Sequence, residues 1–374
     1  MRILFTGGGT GGHFYPIVAI YRKIKEIVEQ EQLLDAKMYY IGPDDFGMET
    51  LRKDQIEVVR IVSGKWRRYA SFQNVIDIFK IIAGTVKAFF VLFRIMPDVI
   101  FSKGGYGSIP VVLVSAVYRI PLIVHESDSR PGLVNSFAAR FADRVAISFD
   151  SARKYLPQKS AIALVGNPIR DAVLGGSRDA AQEEFAIFSS RPVVVIIGGS
   201  QGSQPINQAV IGVIRELATD FEILHQTGKE NFEAVSGEAS VILSKEERTY
   251  YHPIAFFDER NIRNAYAIAD VVVSRAGAAS IFEIAAVGKP AILIPLKGSA
   301  QEHQRENAYE YAEHGAADII EEDNLTPSVL LNEIRKLAVD QERRKLMSER
   351  ALQFAKPDAA EVIAREIFKI GIHN

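Results

Sequence analysis

His13 stands directly behind a run of glycines, Gly7-Gly-Gly-Thr-Gly-Gly12, that itself follows an apolar run of strand length, Arg2-Ile-Leu-Phe5. Glycine tolerates positive φ and lets backbone N–H groups come close to an anion at the positive end of a helix. An imidazole at such a turn has a pKa suited to removing a proton from an attacking hydroxyl, while capping of the following helix is the simpler alternative. The same strand-to-glycine-turn unit recurs half a chain later, where Val193-Val-Val-Ile-Ile197 opens into Gly198-Gly-Ser-Gln-Gly202.

Further segments of this kind carry polar groups. Phe101-Ser-Lys-Gly-Gly-Tyr-Gly-Ser108 reads as a second anion cradle in the first half, with an ordinary turn as the alternative. His125-Glu-Ser-Asp128 follows another apolar strand, at a carboxyl end, which is where ligands sit in open parallel sheets. Glu126 and Asp128 are therefore candidates for contacting hydroxyls, or else solvated loop carboxylates. In the second half Ser274-Arg-Ala-Gly-Ala-Ala-Ser280 joins a strand to a helix, and Glu283 lies one turn inside it. A carboxylate there can accept both hydroxyls of a ribose while the amides before it face phosphate. It can equally complement the helix dipole. Gln301-Glu-His-Gln304 sets amides in the next strand-to-helix loop, and Arg170 follows a Gly166-Asn-Pro168 break.

Gly7, Gly9 and Gly12 also satisfy G-x-G-x-x-G, so an oxidoreductase with a dinucleotide cofactor is a reading to weigh. No acidic residue closes the second strand about 20 residues later, and His13 would crowd a pyrophosphate. There is no G-x-x-x-x-G-K-[ST], no Asp-x-Asp and no zincin-type His pair. Dedicated phosphoryl-transfer and metal-chelating motifs are thus missing, and diphosphate charge falls to helix N-termini, glycine turns and a few side chains.

These groups need strands to end where they begin. Apolar runs alternate with helical patterns, which predicts parallel sheets covered by helices. The strands expected in the first half are Arg2–Phe5, Lys37–Ile41, Glu57–Ile61, Val99–Phe101, Leu122–His125 and Arg144–Ser148. Those of the second are Val193–Ile197, Glu222–His225, Val271–Ser274, Ala291–Pro295 and Asp318–Ile320. At 374 residues two domains are expected, with the Gly166-Asn-Pro168 break as boundary. The last helix, opened by Pro357-Asp358, could pack on either.

The chain is 48% hydrophobic and 24% charged with a net charge of −2, an ordinary globular balance with no drive towards nucleic acid. It has no cysteine, which excludes disulfides and thiolate metal sites. With a strand at its very start and no signal-peptide pattern it is expected in the cytoplasm. Residues 75 to 96 carry four charges, Asp77, Lys80, Lys87 and Arg94, which fall on one stripe about 100° wide, and nearly everything else there is apolar. One apolar face would cover a sheet. The remaining arc is either interior or a shallow membrane contact, to which Trp66, Arg67 and Arg68 would add aromatic and basic anchors.

Taken together, Gly8-Gly-Thr-Gly-Gly-His13 with Pro16, Gly104-Gly-Tyr106, His125-Glu126 with Pro131-Gly132, Gly166-Asn-Pro-Ile-Arg170, Gly198-Gly-Ser-Gln-Gly202, Arg275-x-Gly277 with Glu283, and His303-Gln304 resemble, in order and spacing, glycosyltransferase family 28 enzymes of peptidoglycan synthesis. The resemblance covers nearly the whole chain. It implies the α/β GT-B fold, two Rossmann-like parallel-sheet domains facing across a cleft. The first, residues 1–166, would be the acceptor and membrane-associated domain, joined by a C-terminal helix over 354–374; the second, 167–353, would bind the donor. The implied reaction is inverting transfer of GlcNAc from UDP-GlcNAc to the 4-hydroxyl of undecaprenyl-diphospho-MurNAc-pentapeptide (lipid I), giving lipid II and UDP.

Carried over position by position, His13 is the base, with Glu126 as a second catalytic group. Thr10, Gly11, Gly12, Asp128, Arg170, Ser200, Phe257, Ala278, Ala279, Ser280, Glu283 and Gln304 match the donor site. Gly104, Gly105 and Tyr106 match the acceptor diphosphate loop. No cofactor is required by the resemblance; a divalent cation is compatible with it, without a chelating motif to hold it. The partners implied are UDP-GlcNAc, lipid I and anionic lipid at the cytoplasmic face of the membrane, where the enzyme would be peripheral, together with cell-wall and division proteins and no nucleic acid. One position departs from the family pattern, which usually reads His-Glu-Gln-Asn: Asp128 puts a carboxylate where an amide is expected, so it can accept a hydroxyl proton but not donate. Another transferase of this fold with a different glycolipid or small-molecule acceptor, and a UDP-sugar sensor without turnover, are the competing readings.

Overall fold

The computed structural model describes all residues except 9–10, 33–35, 44–47, 65–71, 200 and 373–374. Thr10, Ser200, Trp66, Arg67 and Arg68 therefore lie outside the described residues. The chain divides into two compact units, Met1–Ile169 with Lys356–Asn374, and Arg170–Ala355.

In the first unit β1 (Arg2–Thr6) leads to α1 (Gly11–Gln30), β2 (Lys37–Gly42), α2 (Met48–Lys53) and β3 (Glu57–Arg60). Then come α3 (Phe72–Ile95), β4 (Val99–Ser102), α4 (Ile109–Tyr118), β5 (Leu122–Glu126), α5 (Leu133–Ala138), β6 (Arg144–Ile147) and β7 (Ile162–Leu164). The seven strands run β3-β2-β1-β4-β5-β6-β7, and every pair is parallel. Strand order reverses between β1 and β4, the place where such sheets open a ligand crevice. There Thr6 is in register with Ser102, so the glycine turns after the two strands leave side by side.

The second unit repeats the plan with α6 (Arg178–Phe185), β8 (Val193–Ile197), α7 (Gln204–Ile211), α8 (Ile214–Asp220), β9 (Glu222–Gln226), α9 (Phe232–Ile242) and β10 (Tyr251–Ile254). It continues through α10 (Glu259–Ile268), β11 (Val271–Ser274), α11 (Ala278–Ala286), β12 (Ala291–Leu293), α12 (His303–Glu313), β13 (Ala317–Ile319), α13 (Pro327–Val339) and α14 (Gln341–Phe354). Its parallel sheet runs β10-β9-β8-β11-β12-β13. Ile197 faces Ser274 in register across the reversal between β8 and β11. The central strands β4, β8 and β11 are buried throughout, as their largely apolar runs require in a sheet covered on both faces.

The last helix, α15 (Ala359–Ile372), returns to the first unit. Ile363, Ile367 and Phe368 join Ile3, Phe5 and Phe14 in one core, and Arg365 and Glu366 reach Glu31 and Arg144 at 2.8 Å each.

Two strands escape the sequence pattern. Ile162–Leu164 is only three residues long, and Tyr251–Ile254 contains Pro253. Both are edge strands, where a short run or a missing N–H costs little. The charged stripe on α3 is not uniform either: Lys80, Lys87 and Arg94 are exposed, but Asp77 is buried. The segment 61–64 crosses the helix there, close enough that a Cβ on Gly64 would strike the Asp77 carbonyl and one on Gly84 the Val62 carbonyl. The face of α3 turned away from the sheet stays open, exposing Val75, Ile76, Ile78, Phe79, Ile82, Val86, Phe89, Phe90 and Phe93. No helix among the described residues is long and apolar enough to cross a membrane.

Candidate active site

In the first unit, the register of β1 with β4 brings the two glycine turns into contact. Gly105 has φ of +79°, and a Cβ there would lie 2.5 Å from the Gly8 carbonyl and 3.6 Å from Cδ2 of His13. Only glycine fits, because a side chain would collide with the Gly8 carbonyl, and the His13 ring lies beside the same position. His13 sits in the first turn of α1, just after Gly11 and Gly12, whose amides belong to the helix end that lacks internal acceptors. Tyr106 begins a short turn behind Gly105, and its carbonyl accepts from Ser63 Oγ at 2.7 Å. Gly104, with φ of +88°, is packed on Asn135: a Cβ would lie 2.2 Å from Asn135 Oδ1.

Asn135 ties this loop to Glu126. Its Nδ2 donates to Glu126 Oε2 at 3.0 Å and to the His125 carbonyl at 3.1 Å. Gly132 N–H also donates to Oε2, and Asp128 N–H to Oε1, each at 3.0 Å. Burial, and then the neighbouring Asp128, push the Glu126 carboxyl above its ordinary range. Both its oxygens are thus engaged in holding the loop that carries Asp128, a positioning geometry. His125 is fully buried with Nε2 at 2.9 Å from the Gly166 carbonyl, and burial holds its pKa well below the ordinary value. It fastens the end of the first unit and is no candidate for proton transfer.

In the second unit the corresponding turns are Gly198–Gly202 and Arg275–Gly277. Gly199 and Gly202 have φ of +93° and +80°. Arg275, buried, donates Nη2 to Ser203 Oγ at 2.6 Å and Nη1 to the Ile294 carbonyl at 3.2 Å, and it pairs with Glu322. It therefore pins together the ends of three strand-to-helix connections. Gly277 leads into α11 with no side-chain cap, so the first amides of Ala278, Ala279 and Ser280 have no helical acceptor.

One turn into α11, Glu283 Oε1 accepts from Arg170 Nη2 at 2.9 Å and Nε at 3.2 Å, and the nearly sealed Tyr266 hydroxyl also bonds this carboxylate. Arg170, expected on a diphosphate, is thus brought to the carboxylate expected on a ribose. The Phe257 N–H donates to Gln226 Oε1 at 2.9 Å, while Gln226 Nε2 reaches the Gly199 carbonyl at 2.7 Å. Gln226, which the sequence did not single out, couples the Phe257 backbone to the glycine turn. Gln304 opens α12 with its Oε1 accepting from Leu296 N–H at 3.1 Å. Just before it Gln301 and Glu302 both hold φ near +60°, at 61° and 57°, a strained conformation for residues with side chains and one typical of ligand loops.

Two parallel doubly wound units with glycine turns at their strand-order reversals define the GT-B class of fold. Solved structures agree: the chain resembles the crystal structure of Acinetobacter baumannii MurG with a TM-score of 0.76 at 24% identity, covering 98% of this chain and 99% of that one. It also resembles the UDP-GlcNAc 2-epimerase from Neisseria meningitidis bound to UDP-GlcNAc, with a TM-score of 0.68 at 12% identity over 99% and 100% of the two chains. Residues 3–147 match the glycosyltransferase family 28 N-terminal domain, and residues 193–363 the family's C-terminal domain. Among curated relatives, the UDP-N-acetylglucosamine–N-acetylmuramyl-(pentapeptide) pyrophosphoryl-undecaprenol N-acetylglucosamine transferases of Clostridium kluyveri and Lachnospira eligens are 37% and 35% identical. They align over 90% and 94% of this chain and 91% and 95% of their own. The chain belongs to glycosyltransferase family 28.

Proposed function

We propose that this protein transfers N-acetylglucosamine from UDP-GlcNAc to the 4-hydroxyl of an undecaprenyl-diphospho-MurNAc-pentapeptide, releasing UDP. The observation that carries the reading is the close approach of the glycine turn that leads into His13 to the second glycine loop at Gly105, in a chain whose relatives of that named activity match it almost end to end.

The first unit takes the acceptor. Its diphosphate lies on the Gly104–Tyr106 loop, and His13 takes the proton from the attacking hydroxyl. The new bond forms at the anomeric carbon as the bond to the β-phosphate oxygen breaks, with inversion. The second unit takes the donor. Glu283 accepts from the ribose, Arg170 and the amides opening α11 and the Gly198–Gly202 turn meet the diphosphate, and the Phe257 carbonyl is left for the base because its N–H is engaged. Glu126 positions Asp128, which accepts from a sugar hydroxyl.

Lipid-linked substrate brings the enzyme to the cytoplasmic membrane face. The open apolar face of α3, flanked by Lys80, Lys87 and Arg94, supports shallow insertion beside anionic headgroups. Replacing His13 by alanine is expected to lower kcat/KM by about 100-fold or more; a loss under about threefold would remove the base role.

A further inference from the structure

Lys103 follows β4 directly, and its backbone N–H continues the sheet by donating to the Thr6 carbonyl at 2.9 Å. The side chain is 1% exposed. Burying an ammonium is expensive unless charge and hydrogen bonds compensate it. Its hydrogen bond goes to a neutral group, Ser127 Oγ. Ser127 is the residue between two carboxylates, Glu126 and Asp128, and both of these favour the charged lysine. Burial works against them and brings the Lys103 pKa down to about 8. Glu126 has its oxygens on Asp128 N–H, Gly132 N–H and Asn135 Nδ2, all of them neutral donors. Lys103 is thus the cation set among these two negative charges, and the loop that connects it to them also carries Asp128.

We propose that Lys103 is a positioning residue which, through its bond to Ser127 and the 126–128 loop, holds the Asp128 carboxylate as an acceptor for a sugar hydroxyl. This rests on the glycosyl-transfer reading. Lys103 itself is sealed from solvent and touches no substrate; its effect is felt through where Asp128 points.

The test is a double-substitution cycle with Lys103→Met, which keeps the length and removes the charge, and Asp128→Asn, which keeps the shape. KM for UDP-GlcNAc and kcat are measured at fixed lipid-linked acceptor, with thermal unfolding alongside. Each single change is expected to raise KM by about fivefold or more with a smaller change in kcat, Lys103→Met because the loop loses its tether at Ser127 and Asp128→Asn because the accepting carboxylate is lost. The combined variant is expected to match Asp128→Asn alone to within about twofold, because Lys103 acts only through Asp128. A lysine that only fills space would give effects that multiply, and multiplying effects, or a neutral Lys103→Met, would overturn the proposal. If Lys103→Met alone is too unstable to assay, Asp128→Asn is compared with the combined variant: an equal KM in the two supports the proposal, and a higher one in the combined variant overturns it. Failure of wild-type protein to turn over UDP-GlcNAc with acceptor would instead remove the transfer reading.

Discussion

Arg170 places two nitrogens on a single oxygen, Oε1, of Glu283, across 113 residues of sequence and one turn inside the helix that opens at Ala278. Both side chains are mostly buried, so neither charge is well served by water if the other is removed. Glu283→Ala is therefore expected to weaken UDP binding by about tenfold or more and to cost about 3 kcal/mol of stability. Calorimetric titration with UDP and urea unfolding check the two effects separately. Unchanged UDP affinity would remove Glu283 from the ribose.

Gly105→Ala adds a methyl group where φ is +79° and the Gly8 carbonyl lies 2.5 Å away. Strain and collision act together, so about 1–3 kcal/mol of stability is expected to be lost along with most of the turnover. Gly132→Ala is the control, since nothing lies within 4 Å of that position. Equal behaviour of the two variants in thermal unfolding would argue against the close approach of the two glycine turns.

On α3, Phe79 and Phe90 are each about two-thirds exposed, at 68% and 66%. Changing both to serine should leave the melting temperature nearly unchanged while weakening co-sedimentation with anionic vesicles by about tenfold or more. Vesicle binding that survives the pair intact would move the membrane contact elsewhere.

Burial holds the His225 pKa at about 3, with its ring between Asn207 Oδ1 at 3.1 Å and Tyr251 OH at 2.9 Å. An unfolded histidine titrates near 6.5, so below that the unfolded chain binds the extra proton. Stability from this group is complete above about pH 6.5 and is lost as the pH falls from there towards about 3, by up to about 1.4 kcal/mol per pH unit. Buried His125 acts in the same direction. Urea midpoints measured between about pH 5 and 7.5 should fall with acid, and His225→Gln should remove part of the slope. Identical slopes in the two proteins would contradict the assignment.

Most of this architecture was legible because buried parallel strands are continuous runs of Val and Ile, and because glycine clusters mark where they end. Val193–Ile197 and Val271–Ser274 are plain in the sequence for that reason. Tyr251–Ile254 was not, since Pro253 argues against a strand anywhere except at an edge, and sequence does not say where the edges are. The Pro357-Asp358 opening marked α15 as a helix but not the sheet it covers; that choice is made by Ile363, Ile367 and Phe368 meeting β1 and α1. Among site residues, the glycine turns and Glu283 were visible as types at characteristic offsets. The roles of Gln226, Arg275 and Lys103 were not, because each depends on the register of neighbouring strands: Thr6 with Ser102 sets Lys103 beside the first turn, and Ile197 with Ser274 sets Arg275 beside Ser203. A lysine directly after an apolar strand and before two glycines was the one local sign that a buried cation stood there.

The central claim is that this chain moves a sugar from UDP to a lipid-linked acceptor. It is tested most directly by measuring UDP release with UDP-GlcNAc and a lipid I analogue, each omitted in turn. UDP release that requires both substrates, together with a disaccharide product, is the predicted result. UDP release from UDP-GlcNAc alone at the same rate, or no turnover with both present, would contradict it.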